Sequence, residues 1–331
     1  MIKRVEEDSE PEDLLPEISR ISMSEYATGL RQHGTTVVNG REWLWTSLES
    51  GAVIRRPLLC FARPDPPEIR DLFSHYGVVI ATYLVEPDDT YPANAFLYVC
   101  SDYTYSLDKL SSSMRRNTRH GLRQLRVTCL SREQILAHGL QAFADTRRRN
   151  GLTDGTRAEF LRRYSSRTLC GGHVFIGAWK DTELAGFLSI IHVDDWAEIE
   201  GSFSVSSMLG MKPNEALLFT ALSHYLRSGR IRAVTSGLSS VQEISRFSGL
   251  DEFKKRVGFD AKPVHRAFAF HPLLRPFANA GIRRIVGTAC KVLPGNRRLN
   301  KIRGVLDLVT GNGVQSFVNC SGGDPEETVE L

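Results

Sequence analysis

The sequence predicts a mixed α/β (α+β) protein built on a mainly antiparallel sheet flanked by helices, and three observations carry that prediction. Residues 184–193 (LAGFLSIIHV) and 196–205 (WAEIEGSFSV) are long β-rich runs flanking Asp194-Asp195, the pattern of a hairpin. A glycine-containing loop, residues 206–212 (SSMLGMK), then leads into an apolar stretch that Pro213 opens. Proline suits the first helical position because its missing N–H would be unpaired there anyway. In the N-terminal part, residues 78–85 (VVIATYLV) and 96–100 (FLYVC) are short apolar runs separated by a turn rich in Pro and Asp.

Taken in order, residues 1–24 are an acidic lead, and 1–17, with two prolines, have the composition of a disordered segment. Residues 25–130 form an N-terminal half, 131–270 a C-terminal half, and 271–331 a basic helical tail with a disordered end. Residues 35–38 are a short β-branched run. Residues 42–48 read as a helical turn with Trp43 and Trp45 as packing aromatics, and 57–61 as a strand. Pro66 and Pro67 open a helix to His75. Residues 106–126 read as one basic helix, in which three- and four-residue spacings put Arg116, Arg119, Arg123 and Arg126 on one face. Gly121 costs that helix about 1 kcal/mol relative to alanine and predicts a bend or break. Residues 127–130 are a strand. Amphipathic helices at 133–149 and 156–169 follow, separated by Asn150-Gly151 and Asp154-Gly155 turns. Residues 173–179 join the hairpin in a meander. The Pro213 helix runs to about Arg227, with Gly229 as its left-handed stop. Residues 232–235 and 264–270 are the last strands.

From Ala261 to Leu306 there is no Asp or Glu. On a helical wheel, Ile282, Ile285, Val286, Ala289, Val292 and Leu293 share one face of residues 275–293, with Arg283, Arg284 and Lys291 opposite. Pro294-Gly295 breaks the helix. A second stripe, Leu299, Ile302, Leu306 and Val309, runs beside Arg297, Arg298, Lys301 and Arg303. Amphipathic helices of globular chains mostly bury their apolar face on the body, so Ile285, Ala289 and Val292 are expected to be buried. Peripheral contact with an anionic membrane through 275–309 is the alternative.

With 331 residues, 41% hydrophobic and 24% charged, the chain has room for two modest domains of ordinary soluble composition. The net charge of +4 is mild, but arginines cluster at 115–132, 147–167 and 275–303, suiting phosphate-bearing partners or, singly, a solvated helix face. Six dispersed cysteines with no CxxC pair indicate reduced, structural thiols and no metal site. No signal peptide and no apolar run of membrane length is visible. A cytoplasmic location is expected, with the inner face of the membrane as a peripheral station.

No HExxH, GxSxG, Walker loop or GxGxxG after a strand is present, which disfavours metalloproteases, serine hydrolases and nucleotide kinases. What remains is a strand, a glycine loop and a helix whose first amides point outward, an arrangement that suits a pyrophosphate at Gly210, Met211, Lys212 and Asn214. These residues resemble the GNAT superfamily of N-acyltransferases, specifically its Fem-like branch of peptidoglycan aminoacyltransferases and cellulose-biosynthesis-associated acetyltransferases. The resemblance runs over residues 109–269. It rests on the Gly186 hairpin, Lys212-Pro213-Asn214, Gly229, Gly237, and the close Gly249-Leu250, Phe253-Lys254, Gly258-Phe259. One departure is plain: where the common GNAT loop has Gln or Arg, Gly, and Gly or Ala, this chain has Ser207, Gly210 and Lys212.

The resemblance implies two GNAT-like halves and acyl-CoA as cosubstrate, without a metal. Acyl transfer from a thioester needs an oriented nucleophile, a base and an oxyanion donor. Glu200 and Glu198, two apart on a strand, are the candidate bases, with a solvent-facing pair as the alternative. Lys254 falls at the family's Phe-Lys position as a catalytic cation. Arg115, Arg116 and Arg119 are candidates for binding an anionic acceptor or the tRNA or CoA phosphates, and Phe253 is a candidate for binding the substrate. The implied function is transfer of an acyl group from acyl-CoA to an amine of a small-molecule or glycan, cell-envelope precursor, with no DNA partner. An aminoacyl-tRNA-dependent Fem-type ligase is the alternative, disfavoured because no coiled-coil arm is inserted in the second half. A non-catalytic, membrane-associated scaffold is the third reading.

Overall fold

The computed structural model describes Leu15 and residues 21–34, 37–39, 43–49, 51–151, 155–239, 248–293 and 296–310. Most of the acidic lead, residues 35 and 36 of the first β-branched run, Asp154 of its expected turn, the Pro294-Gly295 break and the tail beyond 310 lie outside the described residues. The chain divides into two compact units, each drawn from three separate stretches. One comprises Met1–Val37, Tyr98–Gly237 and Glu252–Asp260; the other comprises Val38–Leu97, Leu238–Asp251 and Ala261–Leu331.

The first unit opens with α1 (Met23–Gln32), which starts inside the stretch read as lead because Ser22 and Glu25 form a reciprocal capping box. The basic segment divides into a short 3-10 turn, Leu107–Lys109, and α3 (Ser112–Gln124); Leu110, in extended conformation, separates them. Arg126 leaves the helix to begin β6 (Arg126–Cys129). Two capped helices follow, α4 (Arg132–Arg149) and α5 (Arg157–Tyr164), and a separate turn at Arg167–Leu169 replaces the last part of the expected helix. The meander is β7 (His173–Lys180), β8 (Glu183–Val193) and β9 (Trp196–Ser204), followed by α6 (Pro213–Arg227) and β10 (Ala233–Leu238). Gly229, at φ +64, closes α6 as expected. The strand order is β10-β9-β8-β7-β6, antiparallel except for the parallel β9–β10 pair.

Strand alternation gives this sheet two covered faces. Phe175, Phe187 and Phe203 pack with Phe143 of α4 and with Phe160 and Tyr164 of α5. His192, of opposite parity on β8, meets Tyr225 of α6 with ring centroids 5.2 Å apart. The run Ala216–Ser223 of α6 is buried throughout, so α6 is a core helix rather than a surface one. α7 (Ser248–Val257) contributes its second half to this unit. Val257 and Phe259 are buried, while Phe253 is only partly covered.

The second unit corrects two sequence expectations. Residues 44–49 form β2 (Leu44–Glu49) rather than a helical turn, beside β1 (Val37–Asn39). The strand expected at 57–61 lies earlier, as β3 (Ala52–Arg56), and ends before Pro57, which has no N–H for a ladder bond. After α2 (Pro66–His75) come β4 (Ile80–Val85) and β11 (Asp260–Phe270), giving the order β1-β2-β3-β4-β11. The short β5 (Ala95–Cys100) has its first three residues in this unit. Arg55 is buried beneath Trp43, Trp45 and Tyr83, its guanidinium carbon 5.3–5.9 Å from their ring centres.

The tail forms two helices, α8 (Ala280–Val292), capped by Asn279, and α9 (Arg297–Val309). They pack on one another, burying Cys290 and Leu306, and Arg283 reaches Asp307 at 3.1 Å. The face expected to be buried is open: Ile285 is 65% and Val292 74% exposed. The apolar arc of α8 is wider than the side that α9 covers.

Candidate functional site

The site begins where two parallel strands separate. β10 pairs with β9 over only three residues, Ala233–Thr235 against Trp196–Glu198. Beyond them β9 continues to Ser204 and β10 to Leu238 with no further pair between the two among the described residues. Backbone amides and carbonyls facing this gap can bind an extended, amide-bearing ligand as a sheet edge binds a strand. At the same level β9 carries a bulge. Ser189 pairs with Gly201 and Ile190 with Ile199, so Glu200 is the extra residue. A bulge re-aims the side chain it carries.

That side chain lies in a buried polar cluster, its own exposure 8%. Glu200 accepts a hydrogen bond from Arg167 at 2.5 Å, and His173 Nδ1 stands 3.9 Å from the same oxygen. His173 Nε2 in turn meets the Tyr26 hydroxyl at 3.1 Å. The Tyr164 ring packs on Phe175 beside them, and burial pushes its phenol up to about 12. Glu198 is also buried, paired across the strands with Ile191 and Thr235. The alternative of a solvent-facing carboxylate pair is therefore overturned, because α1, α5 and the Arg167–Leu169 turn cover this face.

Above the gap, Lys212 adopts the left-handed conformation (φ 60, ψ 46) and starts α6 with no side chain capping its first turn. Its carbonyl accepts the Ala216 N–H at 3.2 Å, the first helical bond. Gly210 and Met211 end the preceding 3-10 turn, Ser206–Met211, and a Cβ on Gly210 would meet open space. Asn214 is held by Ser202 (3.2 Å) and Ser204 (3.4 Å) of β9. Glu215 places a negative charge in the same turn and is reached by Asn117 of α3 at 3.5 Å. Arg149, which the sequence reading passed over, fastens this corner: it donates to the Ser204 carbonyl (2.9 Å) and to Ser206 Oγ (2.7 Å), while Asp145 accepts the Ser206 N–H.

The arginine helix α3 crosses directly beneath this loop. Gly121 is its point of closest approach, where a Cβ would stand 2.7 Å from the Lys212 carbonyl oxygen. The helix runs unbroken through this glycine. The glycine serves contact, not flexibility. Arg116, Arg119 and Arg123 are exposed, whereas Arg115 is turned back onto the Asp108 and Leu110 carbonyls.

Lys254 of α7 donates to the Ser236 carbonyl at 2.8 Å, one residue past the last β10–β9 pair, and stands 4.2 Å from the Tyr98 ring centre. Along the strands, Glu198 lies in the last β9–β10 pair, Glu200 two residues beyond it on β9, and Lys254 meets β10 one residue beyond it. Phe253 is the chain neighbour of Lys254. Behind α7, Tyr105 donates to the Val257 carbonyl at 2.6 Å and closes against Gly258, whose φ of +114 requires glycine. An open hollow of about 380 Å³ there is lined by Lys109, Ser111, Lys255 and Arg256. Among the described residues, no group of three or more His, Cys, Asp or Glu side chains gathers as a metal site would require.

The solved structure of FemX superposes on this chain with a TM-score of 0.52 at 11% identity, covering 77% of this chain and 93% of that one. The fold is Fem-like. The structure of L-PGS from Bacillus licheniformis (TM-score 0.47, 14% identity, 82% of this chain and 99% of that one) is less similar. So is a tandem GNAT protein from the clavulanic acid biosynthesis pathway (0.43, 13%, 74% and 87%). No protein-family model matches the sequence, and no curated protein matches it. Within the Fem-like frame, the missed features were the strand parting and the bulge. Gly201, a glycine inside a strand next to Glu200, was the available signal for the latter.

Proposed function

We propose that the chain is an N-acyltransferase that moves an acyl group from acyl-CoA to an amine of a small-molecule or glycan, cell-envelope precursor. The observation that carries this reading is the gap between β9 and β10 lying next to an uncapped helix start. In this reading the amides of the pantetheine arm complete the unpaired strand edges. The diphosphate lies at Met211, Lys212 and Asn214, where Gly210 leaves room and helix amides offer hydrogen bonds. The acceptor nitrogen attacks the thioester carbonyl carbon, the C–S bond breaks, and the proton that the nitrogen loses passes to a carboxylate, which returns it to the leaving thiolate. Glu200, or Glu198 beside it, is that carboxylate. Lys254 fixes the β10 edge through Ser236. Arg116 and Arg119 supply exposed positive charge for an anionic acceptor, with Phe253 as its apolar neighbour.

Thermal stabilisation by acetyl-CoA, longer acyl-CoAs and free CoA tests the donor. A ligand at a hundredfold over its Kd adds about 2.7 kcal/mol to stability. If no CoA species stabilises the protein but an aminoacyl-tRNA does, the exposed arginines of α3 serve a tRNA and the donor assignment falls. If neither acts, the enzymatic reading falls with it.

A further inference from the structure

The tail carries a surface that the acyl-transfer reading leaves unused. Leu273, Phe277, Ile285, Val292, Leu293 and Ile302 are 47–76% exposed, all within thirty residues' reach of one another along the chain. Six exposed large apolar side chains within one thirty-residue stretch are a surface of the kind that marks interaction sites. A spacing of seven residues places Ile285 and Val292 along one side of α8, and Phe277 lies in the Arg275–Phe277 turn that precedes it. Exposed Arg284 and Lys291 flank the same side. The stretch from 261 to 306 contributes no carboxylate.

We propose that the α8–α9 hairpin docks on a membrane leaflet carrying anionic lipid. Charge and apolarity together select this occupant. The apolar side chains enter the headgroup–acyl boundary while the flanking cations meet anionic headgroups, as a basic amphipathic helix lying in an interface does. A second copy of the chain fits poorly, because a two-fold contact would set Arg284 and Lys291 against their own counterparts. A nucleic acid would meet the cations and leave Ile285 and Val292 facing phosphate. α8 and α9, at 13 residues each, are too short to cross a bilayer, so the contact they make is peripheral. Arg283, tied to Asp307, holds the hairpin together and is not part of the contact.

The test is co-sedimentation of the full chain with phosphatidylcholine vesicles, with and without phosphatidylglycerol. Binding is expected only to the anionic vesicles and is expected to weaken with salt. Arg284→Gln together with Lys291→Gln should weaken it about thirtyfold, taking roughly a fivefold loss for each surface cation. Ile285→Ser with Val292→Ser should weaken it at least about tenfold, since both side chains lose their insertion. Its melting temperature should be unchanged, because neither residue packs in the fold. Equal binding to neutral vesicles, no binding by the full chain, or full binding by the serine variant would each overturn the proposal. So would a concentration-dependent dimer that the serine variant abolishes, which would make the surface an interface between copies.

Discussion

Replacing Gly121 with alanine sets two opposing effects on one methyl group. In an exposed helix interior the change gains about 1 kcal/mol, because glycine has more backbone freedom to lose. In α3 the new Cβ would lie 2.7 Å from the Lys212 carbonyl oxygen, 3.0 Å from the Ala216 Cβ and 3.4 Å from the Met211 carbonyl oxygen. Two of these neighbours are backbone atoms and cannot rotate away. Relief therefore requires α3 and the start of α6 to separate by several tenths of an ångström. Overpacking of this kind costs about 1–3 kcal/mol, so the steric term wins and Gly121→Ala should destabilise by about 1 kcal/mol net. Gly287 of α8 is the control: a Cβ there meets nothing within 4 Å, and Gly287→Ala should be neutral or stabilising. Urea midpoints of the two variants read the sign, and CoA-induced stabilisation should weaken in Gly121→Ala alone, since only that change moves the α6 start. If Gly121→Ala stabilises the protein as Gly287→Ala does, the close approach of the two helices is wrong.

Three further outcomes follow from the same region. Lys254→Met removes the bond to the Ser236 carbonyl, so it should lower both stability, by about 1–2 kcal/mol for a partly exposed charged donor, and acyl transfer, by at least about tenfold; unchanged turnover on folded protein would refute its role. Arg167→Met and Glu200→Met should each destabilise by about 2–3 kcal/mol by leaving one partner's charge unbalanced, while the double variant recovers part of the loss. Strict additivity in urea titrations would mean the pair does not act as one. Burial pushes the Cys100 and Cys170 thiols up to about 11 from an ordinary value near 9. Raised folded values mean their contribution is complete below about pH 9 and is lost as the pH rises through about 11. The urea midpoint should fall across that window, and less steeply in Cys100→Ala, where one of the two thiols is gone.

How much of this was legible depends on how local the signal was. The hairpin, α6 and its stop were legible because Pro213 and Gly229 act within one turn, and α2 because Pro66 opens it. Residues 44–49 were misread because a short window with two tryptophans fits a helix or a strand equally; pairing of Leu44 with Arg56 and Trp45 with Arg55 decides it. The Glu200 bulge exists only as a shift in register against β8, a relation between strands that neither strand states alone. Gly121 shows the same limit from the other side. Its type was correctly seen as unfavourable for a helix, but the compensating neighbour lies some ninety residues on, at Lys212. The open face of α8 was misjudged because periodicity reports that an apolar stripe exists, not what covers it.

The start of α6 then has a reading that neither capping rules nor packing alone supplies. Lys212 sits in the left-handed region, which costs a residue with a Cβ about 1–2 kcal/mol, and no side chain caps the turn, which forgoes about 1 kcal/mol more. A glycine at 212 and a serine or aspartate cap would relieve both. The helix tolerates the loss because Leu217, Leu218, Phe219, Leu222 and Leu226 are buried along it. Each such side chain contributes about 1.5–3 kcal/mol, so one or two of them outweigh the whole deficit. The strain is therefore affordable rather than forced, and strain of that kind collects where a backbone must present its amides to something else. Asn214 is pinned by Ser202 and Ser204, and Arg149 holds Ser204 and Ser206, so the loop is braced from the side and left bare at its tip. That bare tip beside the β9–β10 gap is the feature that an anionic, amide-bearing donor fits.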